Sequence, residues 1–208
     1  MFVRQLRLIL LAAAGAVFAV SASATVVPDD FNTENGGSGV LNYSGFANWN
    51  VTKGSVDLIG NGFYDAFSGN GLYVDLAGTT SQYGALTSKT VYGPGTYQIT
   101  LGLGGSIYSG IADGATVSWG TGSQDFVLPG LATSTYSFAV TLTGPEQFTI
   151  ADDGLSGNTD IGATLFGFSV VPAASNSPVP EPLTLAIFGA GLLGAGAMRR
   201  RAAKKAAA

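Results

Sequence analysis

The chain has 208 residues, room for one ordinary domain with targeting segments at its ends. It contains no Cys and no His, which excludes disulfides, thiolate nucleophiles, Cys-ligated zinc and the Ser-His-Asp triad. The net charge of −4 hides a partition: all thirteen acids lie between residues 29 and 181, with only two of the nine bases, so this stretch carries −11 and repels nucleic-acid backbones.

Taken in chain order, residues 1–24, MFVRQLRLILLAAAGAVFAVSASA, read as a signal peptide. Arg4 and Arg7 supply a positive start, Leu8 to Val20 an apolar run, and Ala22 and Ala24 the small residues that a signal peptidase needs. Cleavage after Ala24 would leave Thr25 as the new N-terminus. The alternative is an uncleaved anchor helix.

Residues 25–171 predict an all-β body, a β-sandwich or jelly roll. The hydrophobic fraction of 46% and aromatic fraction of 11% can fill a core. No helical periodicity stands out. Strands with period-two alternation run through TYQITLGL (Tyr97, Ile99, Leu101, Leu103), TYSFAVTL (Tyr136, Phe138, Val140, Leu142) and ATLFGFSVV (Phe166, Phe168, Val170), each with one face to the core. Shorter strands are expected at 56–59, 72–76, 85–89, 116–119, 124–128 and 147–150. Turn signals punctuate them: Gly60-Asn61-Gly62, Gly69-Asn70-Gly71, Gly93-Pro94-Gly95, Asp113-Gly114, Pro129-Gly130, Gly144-Pro145 and Asp153-Gly154.

Two acidic stretches in the body offer oxygen ligands. One is Asp29-Asp30-Phe31-Asn32-Thr33-Glu34-Asn35; the other combines Asp152-Asp153 with Asn158-Thr159-Asp160. Ca²⁺ takes six to eight such oxygens, although EF-hand spacing is absent. Asp and Asn also favour plain turns, so both readings stand. A sugar site needs an aromatic platform beside polar groups. Tyr43, Trp49, Tyr64, Tyr73, Tyr108 and Trp119 are available, and Tyr64-Asp65 pairs the two chemistries; Trp49 sits in a strand-like stretch and is expected in the core. Asp57, Asp65, Asp75, Asp125 and Asp152 could form a carboxylate pair for glycan hydrolysis, but no spacing singles one out. No catalytic residue is assigned.

Residues 172–182 form a Pro-rich linker, in which Pro178, Pro180 and Pro182 hold the chain extended. Residues 183–198 form an apolar, uncharged run, read as a transmembrane helix of roughly 24 Å, short of a bilayer core of about 30 Å. Arg199, Arg200 and Arg201 follow in a basic tail, residues 199–208, expected in the cytoplasm with the body outside. Gly189 to Gly194 match G-x-G-x-x-G, but no strand precedes them and no acidic partner follows, so helix packing through small residues and a plain small-residue anchor are the two readings that stand.

Val179-Pro180-Glu181-Pro182, the apolar run and Arg199-Arg200-Arg201, in that order, resemble the PEP-CTERM sorting signal of exosortase substrates. The resemblance implies a Gram-negative bacterium that makes exopolysaccharide, and a membrane-embedded exosortase that recognises Pro180-Glu181-Pro182 and cuts nearby. The body resembles galactose-binding-like jelly rolls in Trp49-Asn50-Val51-Thr52, residues 54–59, residues 73–78, Gly93-Pro94-Gly95-Thr96-Tyr97 and Gly167-Phe168-Ser169-Val170. Where such families often end in an L-D-N-V-type strand, this chain has Leu165-Phe166-Gly167-Phe168. That resemblance implies a structural calcium between first and last strands, with Asp30, Glu34 and Asp160 as candidate ligands.

The expectation is an exported, non-catalytic structural or adhesive component. It is anchored transiently in the inner membrane, then placed at the cell surface or in the matrix with exopolysaccharide. The alternatives are a specific carbohydrate-binding module and, third, a glycan-acting hydrolase.

Overall fold

The computed structural model describes residues 29–108 and 110–173. The expected signal peptide, PEP motif, apolar run and basic tail lie outside them. No helix among the described residues is long and apolar enough to cross a membrane.

Among the described residues, twelve strands build the body: β1 (Trp49–Lys53), β2 (Asp57–Gly60), β3 (Leu72–Asp75), β4 (Ala77–Gly78), β5 (Gln82–Tyr83), β6 (Ala85–Ser88), β7 (Gly95–Gly104), β8 (Asp113–Trp119), β9 (Gly122–Leu128), β10 (Thr133–Leu142), β11 (Phe148–Asp152) and β12 (Thr164–Pro172). They form two five-stranded antiparallel sheets, ordered β1-β6-β11-β8-β9 and β10-β7-β12-β3-β2, with β4-β5 as a separate ribbon. All nine expected strands are present. The three additional ones are β1, whose outer positions are polar, and the two-residue strands β4 and β5, too short to display a period.

The core lies between the sheets. Ile99, Leu101 and Leu103 of β7 point into it with Leu58, Val74, Leu86, Val117, Phe148, Ile150 and Leu165. Trp49 is buried as expected; its ring meets Phe168 edge-on at 5.2 Å, and its Nε1–H donates to Asp29 Oδ2 at 2.7 Å. This gives a buried indole both an apolar contact and a polar partner. Asp29 also exchanges two backbone hydrogen bonds with Phe168, tying the first described residue to the last strand.

Three local readings are corrected. Asp113-Gly114 is not a turn but the start of β8; the reversal is at Gly120-Thr121, between the paired Trp119 and Gly122, with Gly120 at φ 47°. Phe166 does not share a face with Phe168 and Val170. The pairing of β12 with β7 slips between Leu165 and Gly167, and this bulge turns Phe166 out of the main core. Its ring instead packs on Phe67 and Tyr73, at 5.2 and 5.0 Å, in a second apolar cluster with Ile59. Finally, β12 reaches Pro172, opposite Tyr97, so the first residue of the expected linker still belongs to the sheet.

Candidate functional site

The β2-β3 edge and the segments carrying Tyr64, Tyr108 and Asp160 shape a depression in the surface. Asp57 and Asp75 are directly opposite one another on β2 and β3. Both line a cavity of about 90 Å³, with Ile59 and Ile107 as apolar lining and Thr79 and Asp160 as polar lining. Tyr64 and Tyr108 also line it and are 63% and 51% exposed. Tyr64 stands at φ 48°, and its ring meets Phe63 edge-on at 4.9 Å. Exposed aromatic side chains held beside carboxylates have apolar surface and hydrogen-bond acceptors together.

The polar wall is built by three long-range hydrogen bonds and one local one. Asp57 Oδ1 accepts the Asn42 N–H at 2.6 Å, and Asn42 Nδ2 donates to Thr79 Oγ1 at 2.7 Å. Asp75 Oδ1 accepts the Ala77 N–H at 2.9 Å. Asp160 Oδ1 accepts the Ser81 hydroxyl at 2.9 Å. Burial pushes both strand carboxyls up, Asp75 well above the usual carboxylate range; the charges of Asp57, Asp152 and Asp113 push it in the same direction.

A second carboxylate group lies at one end of the other sheet. Asp113 opens β8, Asp152 closes the neighbouring β11, and Asp153 follows it. Oxygens of all three lie within 4.8 Å of one another. Asp152 Oδ1 accepts the Gly154 N–H at 2.7 Å and Oδ2 the Ala163 N–H at 3.0 Å. Burial, then the Asp113 charge, raises Asp152 to about 7. Burial also raises Asp113, against the pull of the Gly114 N–H and of neighbouring Ser156.

The expected site residues fall in separate places. Glu34 is buried, and both its oxygens serve the fold: Oε1 accepts the Ala47 N–H at 2.8 Å and Oε2 the Tyr43 hydroxyl at 3.3 Å. Asp30 is exposed and caps its own turn through the Asn32 N–H at 3.1 Å. Asp160 belongs to the depression. Among the described residues, the group of three clustered carboxylates contains none of Asp30, Glu34 and Asp160. Their donor sets therefore do not fit one shared calcium. Of the expected sugar contacts, Tyr64 lines the depression, whereas Asp65 turns to the Gly62 N–H and the Tyr73 hydroxyl, at 3.2 and 3.3 Å. Tyr73 is fully buried, and its hydroxyl is pushed up to about 12 by that burial, so it belongs to the fold rather than to a platform. Sequence reasoning missed Asp113 as a ligand candidate because Asp113-Gly114 reads as a turn. It noted Asp57 and Asp75 as carboxylates without pairing them.

Comparison with known proteins adds the following. Residues 178–201 match the family model of the PEP-CTERM protein-sorting motif. This motif marks the chain for exosortase-sorted export towards the surface. No curated protein matches the chain. Among solved structures, the CBM36-1 domain of a multidomain xylanase from the hindgut metagenome of Trinervitermes trinervoides is similar over 60% of this chain and 92% of that one, at 20% identity and a TM-score of 0.42. TmCBM61, in complex with beta-1,4-galactotriose, is similar over 62% and 90%, at 16% identity and a TM-score of 0.41. The exo-beta-1,3-galactanase of Phanerochaete chrysosporium with galactose is similar over 64% of this chain, at 18% identity and a TM-score of 0.39; the chain spans 29% of that enzyme.

Proposed function

We propose that the exported body is a non-catalytic component of the cell surface or matrix that holds polysaccharide against the Tyr64–Tyr108 depression. The observation that carries this is the pair of exposed tyrosines beside Asp57, Asp160 and Thr79. A sugar ring offers apolar C–H faces to an aromatic side chain and hydroxyl donors to carboxylate oxygens. In this reading exosortase acts at Pro180-Glu181-Pro182, signal peptidase acts after Ala24, and residues 183–198 anchor the chain in the inner membrane until processing.

The test is binding of the purified protein to exopolysaccharide extracted from its own host. Tyr64→Ala and Tyr108→Ala are each expected to weaken binding about tenfold, a loss of about 1.4 kcal/mol. Wild-type affinity in the double variant would remove the depression from the reading. Fractionating cells with and without exosortase tests the sorting half: the body is expected to move from the surface or medium to the inner membrane when the enzyme is deleted.

The second reading is a glycan hydrolase, favoured by the facing carboxyls of Asp57 and Asp75. A glycosidase needs one carboxyl protonated and one ionised at working pH. Release of reducing sugar from the same polysaccharide, abolished in Asp57→Asn, would establish it.

A further inference from the structure

We infer that Asp113, Asp152 and Asp153 form a calcium site that ties the start of β8 to the exit of β11. Three observations converge on it. First, the three carboxylates have oxygens within 4.8 Å of one another. They are gathered by the pairing of β8 with β11, which sets Asp152 opposite Ala115 and lets Asp153 N–H donate to the Gly114 carbonyl at 3.1 Å.

Second, Asp113 is completely buried, and its Oδ2 has no hydrogen-bond partner. Its other oxygen is occupied by the Gly114 N–H at 2.9 Å. The Ser156 hydroxyl and N–H lie close enough to favour the Asp113 anion, but neither closes a hydrogen bond to Oδ2; the hydroxyl's single proton is shared between the carbonyls of Asn158 and Ile161, at 3.1 and 3.0 Å. A buried carboxylate oxygen without a donor is costly and calls for a proton or a cation. The only side-chain cations among the described residues are Lys53 and Lys89. Lys53 is exposed, and Lys89 Nζ donates to the Phe46 carbonyl at 2.6 Å.

Third, the backbone leaves room for the Asp153 carboxylate to lie over β8. A Cβ at Gly114 would collide with Asp153 Oδ2 and with the Phe126 carbonyl. Glycine at this position lets an exposed acid reach a buried one.

The donor set selects the ion. Every ligand is oxygen, which suits hard cations, and the chain has no His or Cys to hold a softer metal. Calcium accepts irregular carboxylate geometry of mixed strand and loop origin, whereas magnesium demands a near-ideal octahedron and keeps its waters. None of the three ligands lines the depression, and the two sites are linked only through the charges of Asp113 and Asp152 that reach Asp75.

The experiment uses the full chain stripped with chelator, then titrated with CaCl₂ or MgCl₂ by calorimetry and by thermal melting. One saturable calcium site is expected, with a Kd in the range of about 10⁻⁴–10⁻³ M found for extracellular modules. At saturating calcium the melting temperature is expected to rise by about 5 °C. Asp153→Asn, at an exposed position where the fold is retained, is expected to weaken calcium binding at least tenfold. Asp125→Asn, on the exposed face of β9, leaves it unchanged. An absent calcium response, an equal response to magnesium, or wild-type affinity in Asp153→Asn would overturn the site. Loss of binding in Asp30→Asn instead would place the ion elsewhere and also overturn it.

Discussion

Replacing Phe148 by alanine is expected to destabilise the body by about 3–5 kcal/mol, the largest effect of any single truncation proposed here. Phe148 is fully buried on β11, the central strand of its sheet. Its ring meets Phe168 of the opposite sheet at 5.9 Å, Tyr92 at 5.2 Å and Trp119 at 6.2 Å. Truncation leaves a void that rigid strands on both sides cannot close, so the transfer and cavity losses add. Thermal melting should show a drop of roughly 10 °C. Val127→Ala, at a position 55% exposed on β9, is expected to change stability by less than about 0.5 kcal/mol. A Phe148→Ala protein within about 1 kcal/mol of wild type would show that the two sheets do not close around this ring.

The second large effect is on pH. In the presence of chelator, the protein is expected to lose stability as pH rises from about 4 to about 7. The sign follows from the buried acids. Asp57, Asp75 and Asp152 all have folded-state values raised above the ordinary 3.8, Asp152 to about 7. At low pH each is protonated in both the folded and unfolded chains, so none opposes folding. Above the ordinary value the unfolded chain releases its protons while the folded one retains them, and ionisation pulls towards unfolding until the folded groups also titrate. The summed loss is on the order of a few kcal/mol. Denaturant melts at pH 5 and pH 8 measure it. Asp75→Asn should flatten the profile, because the amide keeps an oxygen for the Ala77 N–H and removes the titration. Stability that rises between these two pH values, or an Asp75→Asn profile as steep as wild type, would show that Asp75 is ionised in the folded protein.

The two carboxylate groups share one electrostatic cause. Asp75 feels the charges of Asp57, Asp152 and Asp113, so the depression and the end of β11 belong to a single acidic zone in a body with two lysines. Such a zone is unfavourable as bare charge, and protons or a hard cation relieve it.

The strands and most turns follow from the sequence by itself. Period-two alternation is a local property, so Ile99, Leu101 and Leu103 announce their shared face without reference to any partner strand. The sorting motif and the partition of charge are likewise linear features. Tertiary structure alone decided the face of Phe166, because a bulge arises from the register between β12 and β7. It also decided which acids meet. Asp113 joins Asp152 and Asp153 because β8 lies beside β11, and Asp57 faces Asp75 because β2 pairs with β3; no spacing along the chain encodes a neighbour across a sheet. The same holds for Tyr64, exposed on the depression, and Tyr73, sealed in the fold: their composition is identical, and only the packing around each ring separates a candidate sugar contact from a structural one.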